Sequence, residues 1–406
     1  MNSFQPKGYY PLFTIFALER MFYYGVRTLL VLFMVHFLLF NTEKAGLVYG
    51  WFLALVMFPP LLGGFIIDMW LGQRKGLILS IIVSIIGCCF LIASSIAHSP
   101  FLLYTALALI AVGAMLYKPS VYVLLGNLYD DANDARRDSG FILTILAINI
   151  GAFFAPLICG TLGERFGWSI GFLSAGIFML IALYLLRHVP SEIKKTTFKV
   201  NAKSLSLIVL LFFLAVIIPY KTGSAALDYA EGHLSDAPMF WTWMSTTYTI
   251  PASWISALLS FPTFLFCIVF AWLWIKLAKT NKNPTTINKF ILGLVLLLIG
   301  VAMVGSLSVG EIKLPNIVVA SLFLAMAEMC ITPIFLSLLT KIAPQKWAST
   351  FVGGYYALIA ATFFTSYIAS AYYPYGLWLF LISVFVAIVA LVLFRNKFNQ
   401  WMNGVL

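Results

Sequence analysis

Residues 13–37 read FTIFALERMFYYGVRTLLVLFMVHF. The stretch is long and apolar enough to cross a bilayer, which takes about 20 residues of helix. It nevertheless carries Glu19, Arg20 and Arg27, with Tyr23 and Tyr24 between them. Advancing ~100° per residue from Glu19, Tyr23 falls near ~40°, Arg27 near ~80°, Arg20 near ~100° and Tyr24 near ~140°. Phe16, at ~60°, lies inside the same arc. One polar stripe on an otherwise apolar helix means that this face is turned away from lipid. The spacing therefore predicts a membrane helix lining a polar interior. A static Glu–Arg pair stapling helices together is the plainer alternative.

The rest of the chain fits that solvent. Of 406 residues, 62% are hydrophobic and 10% charged, whereas a soluble domain has about 25% charged residues. A soluble fold of this size could not hide so much apolar surface. Spans are expected at 11–40, 46–69, 77–97, 101–127, 141–163, 169–187, 205–230, 253–278, 289–309, 315–340, 349–371 and 376–394. The fold class is an all-α membrane protein with 12 transmembrane helices.

The net charge of +11 resembles a nucleic-acid signal, but its distribution says otherwise. With a cytoplasmic N-terminus, the cytoplasmic segments hold Lys7, Arg74, Lys75, Arg136, Arg137, Arg187, Lys276, Lys289, Lys341, Lys346 and Arg395, among others; the opposite side holds Lys44, Arg165 and Lys313. Such an excess places both termini in the cytoplasm and accounts for the basic pI without a nucleic-acid partner. The longest basic loop, HVPSEIKKTTFKVNAKS, separates six expected spans from six. Residues 1–187 are thus read as an N-terminal six-helix bundle, 188–204 as a cytoplasmic linker and 205–406 as a C-terminal bundle. A solute site between two such bundles would lie near the midplane.

Charges at membrane depth cost at least ~2.5 kcal/mol and mark candidate sites. Lys118, followed by Pro119, lies about ten residues from the acidic cluster at the cytoplasmic end of its span; it could pair with Glu19 or bind an anion. Glu328, midway along 315–340 and five residues before Pro333, needs a partner or a proton. Lys221 and His36 are read as interfacial. Asn149, in LAINIGAFFAP, could bind solute or hydrogen-bond two helices together; the residues leave that open. The five cysteines lie in apolar stretches, so no disulfide or metal site is expected. HExxH and cysteine–histidine constellations are absent from the sequence, and the carboxylates and cations sit at midplane rather than facing one surface, which argues against an enzyme or receptor. MNSFQPKGYYP has no signal-peptide pattern.

These residues form a recognisable set. FALERMFYYG, with Arg27 following, resembles the ExxERFxYYG motif of the proton-dependent oligopeptide transporter family of the major facilitator superfamily. GGFIIDMWLGQRKG (63–76) is similar to the superfamily's signature between helices 2 and 3. The block from 116 to 168, LYKPSVYVLLGNLYDDANDARRDSGFILTILAINIGAFFAPLICGTLGERFGW, resembles the family nearly throughout, and AEMCITPIFLSLLTKIAP (327–344) resembles its tenth helix.

The resemblance implies two six-helix bundles of the major facilitator superfamily fold and secondary active transport. The implied activity is proton-coupled symport of di- and tripeptides or peptide-like solutes by alternating access. Arg27 and Lys118 would hold the solute carboxylate and Glu328 its amino group, with Tyr23, Tyr24, Asn149 and Tyr355 completing the site. Glu19, Arg20, Lys118 and Glu328 would couple protons, and Asp68, Arg74 and Lys75 would form a cytoplasmic gate. No cofactor is implied; protons are the coupling ion. The setting would be a bacterial inner (plasma) membrane, and the protein a monomer.

The chain also departs from the motif. Phe16 replaces its first glutamate and Met21 its phenylalanine. The helix 7 glutamate is replaced near Tyr220 or Lys221, the helix 8 Asn-Pro pair around Leu259 and Ser260, and a helix 11 tryptophan by Tyr355. A second reading therefore stays open: a transporter of another small solute (nitrate, an amino-acid derivative or a cell-wall fragment) with altered or no proton coupling.

Overall fold

The computed structural model describes residues 5–129, 136–190, 261–280, 283–305, 314–370 and 375–396. The seventh expected span, with Tyr220 and Lys221, lies outside these residues, as do most of the linker and Leu259 and Ser260. Every described element is helical, as expected where main-chain groups have no water to bond.

The first half contains α1 (Tyr9–His36), α2 (Thr42–Met57), α3 (Pro60–Ile66), α4 (Gln73–Ala97), α5 (Pro100–Asn127), α6 (Arg136–Ala155), α7 (Thr161–Phe166) and α8 (Trp168–Leu185). The second contains α9 (Phe261–Lys279), α10 (Thr286–Gly305), α11 (Leu314–Ile342), α12 (Ala348–Ser370) and α13 (Tyr375–Leu393). Wider turns at Ile67–Leu71 and Pro156–Gly160 join α3 to α4 and α6 to α7. Among the described residues, six stretches have the length and hydropathy of a membrane span: Thr42–Leu71, Gln73–Ala97, Pro100–Asn127, Arg136–Phe166, Trp168–His188 and Leu322–Lys341. At 28 residues α1 is also long enough, and its charged stripe is what sets it apart.

Local chemistry places the breaks. The first span, expected to run to residue 40, stops at His36. Leu39 takes a positive φ of 57°, and Asn41 accepts the Lys44 amide at 2.8 Å to cap α2. Pro59 and Pro60 divide the second span, because a proline cannot donate to the carbonyl four residues before it. Gly72, at φ 73° and ψ 156°, ends the wide turn in a conformation that suits glycine.

α1 is the centre of the first half, packed against α2, α5, α6 and α8, while α4 lies against α5 and α8. In the second half α10 packs on α11 and α13, and α9 on α11. Contacts between the halves run through α3 and α5 against α12, and through α6 against α9 and α11. The polar stripe of α1 faces this interior: Phe16, Glu19, Arg20 and Tyr23 are all buried.

Candidate functional site

Glu19 and Arg20 neutralise each other within α1. Arg20 Nε and Nη2 reach the two carboxylate oxygens at 2.5 and 2.6 Å, and its guanidinium lies 5.0 Å from the Tyr23 ring centroid. The pair joins neighbours in one helix, so it does not staple two helices. The Tyr23 hydroxyl is buried without a hydrogen-bond partner. Arg27, two turns toward the other end, donates to the Tyr49 hydroxyl on α2 at 2.5 Å. Tyr24 sits edge-on to Tyr23, with ring centroids 5.3 Å apart.

Lys118 is 2% exposed, but it does not join Glu19 and Arg20 as expected. Its Nζ donates to the Val56 carbonyl at 3.0 Å, lies 3.3 Å from Met57 Sδ, and sits 4.7 Å from the centroid of the Tyr356 ring. The reason is local. Pro60 has no N–H to give Val56, so that carbonyl is left free four residues earlier. Glu19, meanwhile, is already held by the arginine beside it. The lysine thus has only neutral partners.

Glu328 lies in the buried half of α11 and makes no hydrogen bond or ion pair. Tyr355 and Cys267 are within electrostatic reach of it. A line of rings joins it to Lys118: Tyr355 and Tyr356 centroids are 5.1 Å apart, and Tyr356 lies 6.0 Å from Tyr122. Phe16 ends this line, edge-on to Tyr122 at 5.1 Å and to Tyr117 at 6.2 Å. Asn149 donates to the Ile145 carbonyl of its own helix at 2.9 Å; it does not bridge two helices.

At the expected cytoplasmic end, two sets of polar contacts join the halves. Asp68 accepts from the Thr350 amide at 2.7 Å, the Thr350 hydroxyl at 2.8 Å and the Ser349 amide at 3.2 Å. A carboxylate there caps α12 and meets the positive end of its dipole. Arg74 instead binds the Val189 carbonyl at 2.5 Å and that of Leu186 at 3.3 Å, tying α4 to the end of α8 within the first half. Lys75, expected beside them in the gate, is exposed and makes no hydrogen bond or ion pair; water already solvates it.

The second set is formed by residues that sequence reasoning treated as loop charges. Lys289 on α10, 1% exposed, pairs with Asp138 on α6 at 2.8 Å, and Ser337 of α11 donates to the other Asp138 oxygen at 2.7 Å. Arg137 donates to the Gly126 carbonyl at 2.6 Å and to Thr340 Oγ1 at 2.8 Å. Residues 136–138 and 289 lie at predicted span ends, where hydropathy cannot distinguish a solvated charge from one covered by a neighbouring helix.

Residues 74–237 match the family model described as the POT family. Similar curated proteins include the uncharacterized transporter YclF of Bacillus subtilis, 28% identical over 85% of this chain and 83% of its own length. The peptide transporter YePEPT of Yersinia enterocolitica is 27% identical over 85% and 84%. Among solved structures, the peptide transporter POT in complex with sulfate aligns with a TM-score of 0.61 at 22% identity, covering 98% of this chain and 96% of that one. A POT family transporter in complex with 5-aminolevulinic acid aligns at 0.62 with 20% identity, covering 97% of each chain. Residues 74–237 carry the POT sequence pattern, and the chain shares the fold of these solved transporters. It is an all-helical, multi-pass membrane protein. The POT relatives named here are transporters, not enzymes.

Two members of the POT-fold interior were missed from sequence. Tyr49 holds Arg27, and Tyr356 lies between Lys118 and Tyr355. A signal for the latter was available: Gly354-Tyr355-Tyr356 repeats, in an apolar helix, the paired tyrosines beside glycine seen at Tyr23-Tyr24-Gly25.

Proposed function

We propose that this protein is a proton-coupled symporter of di- and tripeptides or peptide-like solutes, working by alternating access. One observation carries the reading. A buried amine on α5, Lys118, and a half-buried acid on α11, Glu328, are each left without an ion-pair partner, the first beside Tyr356 and the second near Tyr355, whose rings are 5.1 Å apart. A solute with a carboxylate at one end and an ammonium at the other would satisfy both. Arg27, Tyr23, Tyr24, Tyr355 and Asn149 would complete its surroundings. A peptide transporter among the curated relatives supports this solute class.

Coupling would follow from the same groups. A bound solute neutralises Glu328; without it, a proton must do so, since an isolated carboxylate in a dry site favours its neutral form. Glu19 and Arg20 would contribute by re-pairing as the interior opens. Asp68 and Arg74 would serve the cytoplasmic gate; Lys75 would act through topology alone. We place both termini in the cytoplasm of a bacterial inner membrane, and the working unit is a monomer of two bundles, 1–187 and 205–406, joined through 188–204.

The test is uptake of labelled dipeptides into vesicles under an inward proton gradient. Gradient-driven uptake is expected, and its loss in Lys118→Ala and Glu328→Gln. A charge-assisted hydrogen bond contributes about 1.5–3 kcal/mol, so solute affinity should fall roughly 10- to 150-fold in each. Uptake indifferent to both the gradient and the substitutions overturns the reading.

A second reading is favoured by Phe16, whose ring fills the place of the motif's first glutamate between Tyr117 and Tyr122. It keeps transport but changes the solute to nitrate, an amino-acid derivative or a cell-wall fragment, with altered or absent coupling. A thermal-shift panel of peptides, amino-acid derivatives and anions separates the two; stabilisation by peptides alone removes the second.

A further inference from the structure

The residues leading into α1 read QPKGYY, 5–10. They fold back beneath the helix. The Tyr9 amide donates to the Pro6 carbonyl at 3.2 Å, and Gly8 turns the chain at a φ of 86°, a conformation that glycine adopts at no steric cost. A Cβ on Gly8 would lie 2.5 Å from Pro190 Cδ and 3.4 Å from Leu128 Cδ2, so the turn is seated against residues just beyond α5 and α8. It carries Gln5 inward, where the side chain is 1% exposed. A buried amide has to find hydrogen bonds. Gln5 Oε1 accepts from the Tyr129 hydroxyl at 2.8 Å, and Nε2 donates to the Arg136 carbonyl at 3.5 Å. Tyr9, buried to the same degree, donates to the Gly140 carbonyl at 2.9 Å.

Both carbonyls belong to the first five residues of α6 and lie one turn apart. Tyr129 rests directly on that turn: a Cβ on Gly140 would lie 2.9 Å from Tyr129 Cζ. Between the two carbonyls stand Arg137 and Asp138, and their side chains reach the second half. Arg137 donates to Thr340 Oγ1 of α11 at 2.8 Å. Asp138 accepts from Lys289 of α10 at 2.8 Å and from Ser337 of α11 at 2.7 Å. Tyr129 serves both sides, with its hydroxyl on Gln5 and its ring centroid 5.8 Å from the Arg137 guanidinium.

We infer that residues 5–9 form a strap that positions the first turn of α6 against α10 and α11, with Gln5, Tyr9 and Tyr129 as the positioning residues. Hydrogen bonds of this length tolerate little displacement. A turn released from the strap therefore holds Arg137 and Asp138 less firmly on the second half. A segment that lines no part of the candidate solute site thus sets how tightly the halves grip each other beside α6. The inference deepens the alternating-access reading above, in which this contact must part.

Hydrogen exchange of the full-length protein in lipid nanodiscs, followed by mass spectrometry, tests the strap. Gln5→Ala and Tyr129→Phe each remove one partner of the buried bond and leave the α10 and α11 residues untouched. Exchange should rise about 5-fold or more over 136–142 and, decisively, over 286–292 and 336–342 in the other half. It should stay within about twofold of the parent over 88–97, at the far end of α4. Lys7→Ala, an exposed position in the same segment, should leave every segment as in the parent. A rise confined to 136–142 would make these residues local supports only, and overturns the inference. So does an equal rise over 88–97, which is general loosening, or parent-like exchange in both variants. Failure of both variants to yield monodisperse protein also overturns it, because the segment would then be needed for folding. Peptide uptake by the parent is measured in parallel. Its absence counts against the solute assignment and leaves the exchange pattern to judge the strap.

Discussion

Lys289 shows how much one buried charge depends on its partner. It is covered by α6 and α11, lies 4.8 Å from the Trp274 ring centroid, and meets Asp138 at 2.8 Å. Removing one member of a buried pair leaves the other desolvated and alone, at a cost of about 3–5 kcal/mol. Asp138 keeps 27% of its side chain exposed, so Lys289→Met should fall at the low end, about 3 kcal/mol. It should lower the melting temperature by several degrees, and Asp138→Asn in the same chain should recover part of the loss. Equal melting of parent and Lys289→Met would show that the pair contributes nothing. Neither residue stood out in the sequence, where each lay beside a predicted loop. Glu19, Lys118 and Glu328 did stand out, because a charge in the middle of an apolar run is conspicuous without any knowledge of its neighbours. What those three bond to was not legible: the choice of Arg20 and Val56 as partners depends on rotamers and on where α2 breaks.

At the scale of the helix, prolines and glycines work in pairs. Pro119 lies inside α5 and withholds an N–H from the Met115 carbonyl, the same group that Gly63 of α3 packs against. A proline in a helix interior costs about 3 kcal/mol of intrinsic stability, offset here by that close packing. Pro119→Ala should restore the missing bond, draw the Met115 carbonyl back into α5 and shift Lys118, its immediate neighbour. A higher melting temperature with reduced uptake is the expected outcome. Higher stability with unchanged uptake would mean that the proline has no bearing on where the lysine sits. The helices themselves were largely readable from hydropathy, and observed boundaries differ from expectation by a few residues where a cap or glycine intervenes. The division of the second span at Pro59 and Pro60 was missed, because hydropathy runs unbroken through it.

For the molecule as a whole, the loop charges make a directional prediction. Thr42–Leu71 crosses from the exposed Lys44 to the exposed Lys75 beyond it. A cysteine at position 44 should react with an impermeant maleimide on intact cells, and one at position 75 only after permeabilisation, each placed in a chain lacking the five native cysteines. The reverse pattern would invert the topology and move both polar clusters to the outer end. The arrangement of one half against the other was the least legible feature. The contacts of α3 with α12 and of α6 with α9 and α11 join residues far apart in the chain, and nothing in a local window announces them.

The oxygen that receives Lys118 belongs to the main chain, and it is available because of an imino acid four positions downstream. Replacing Val56 by any other residue leaves that oxygen in place, so an alanine scan would pass over the anchor and score the position as silent. The determinant is stored at Pro60, one turn away from the atom it exposes, in a residue that itself never touches the lysine.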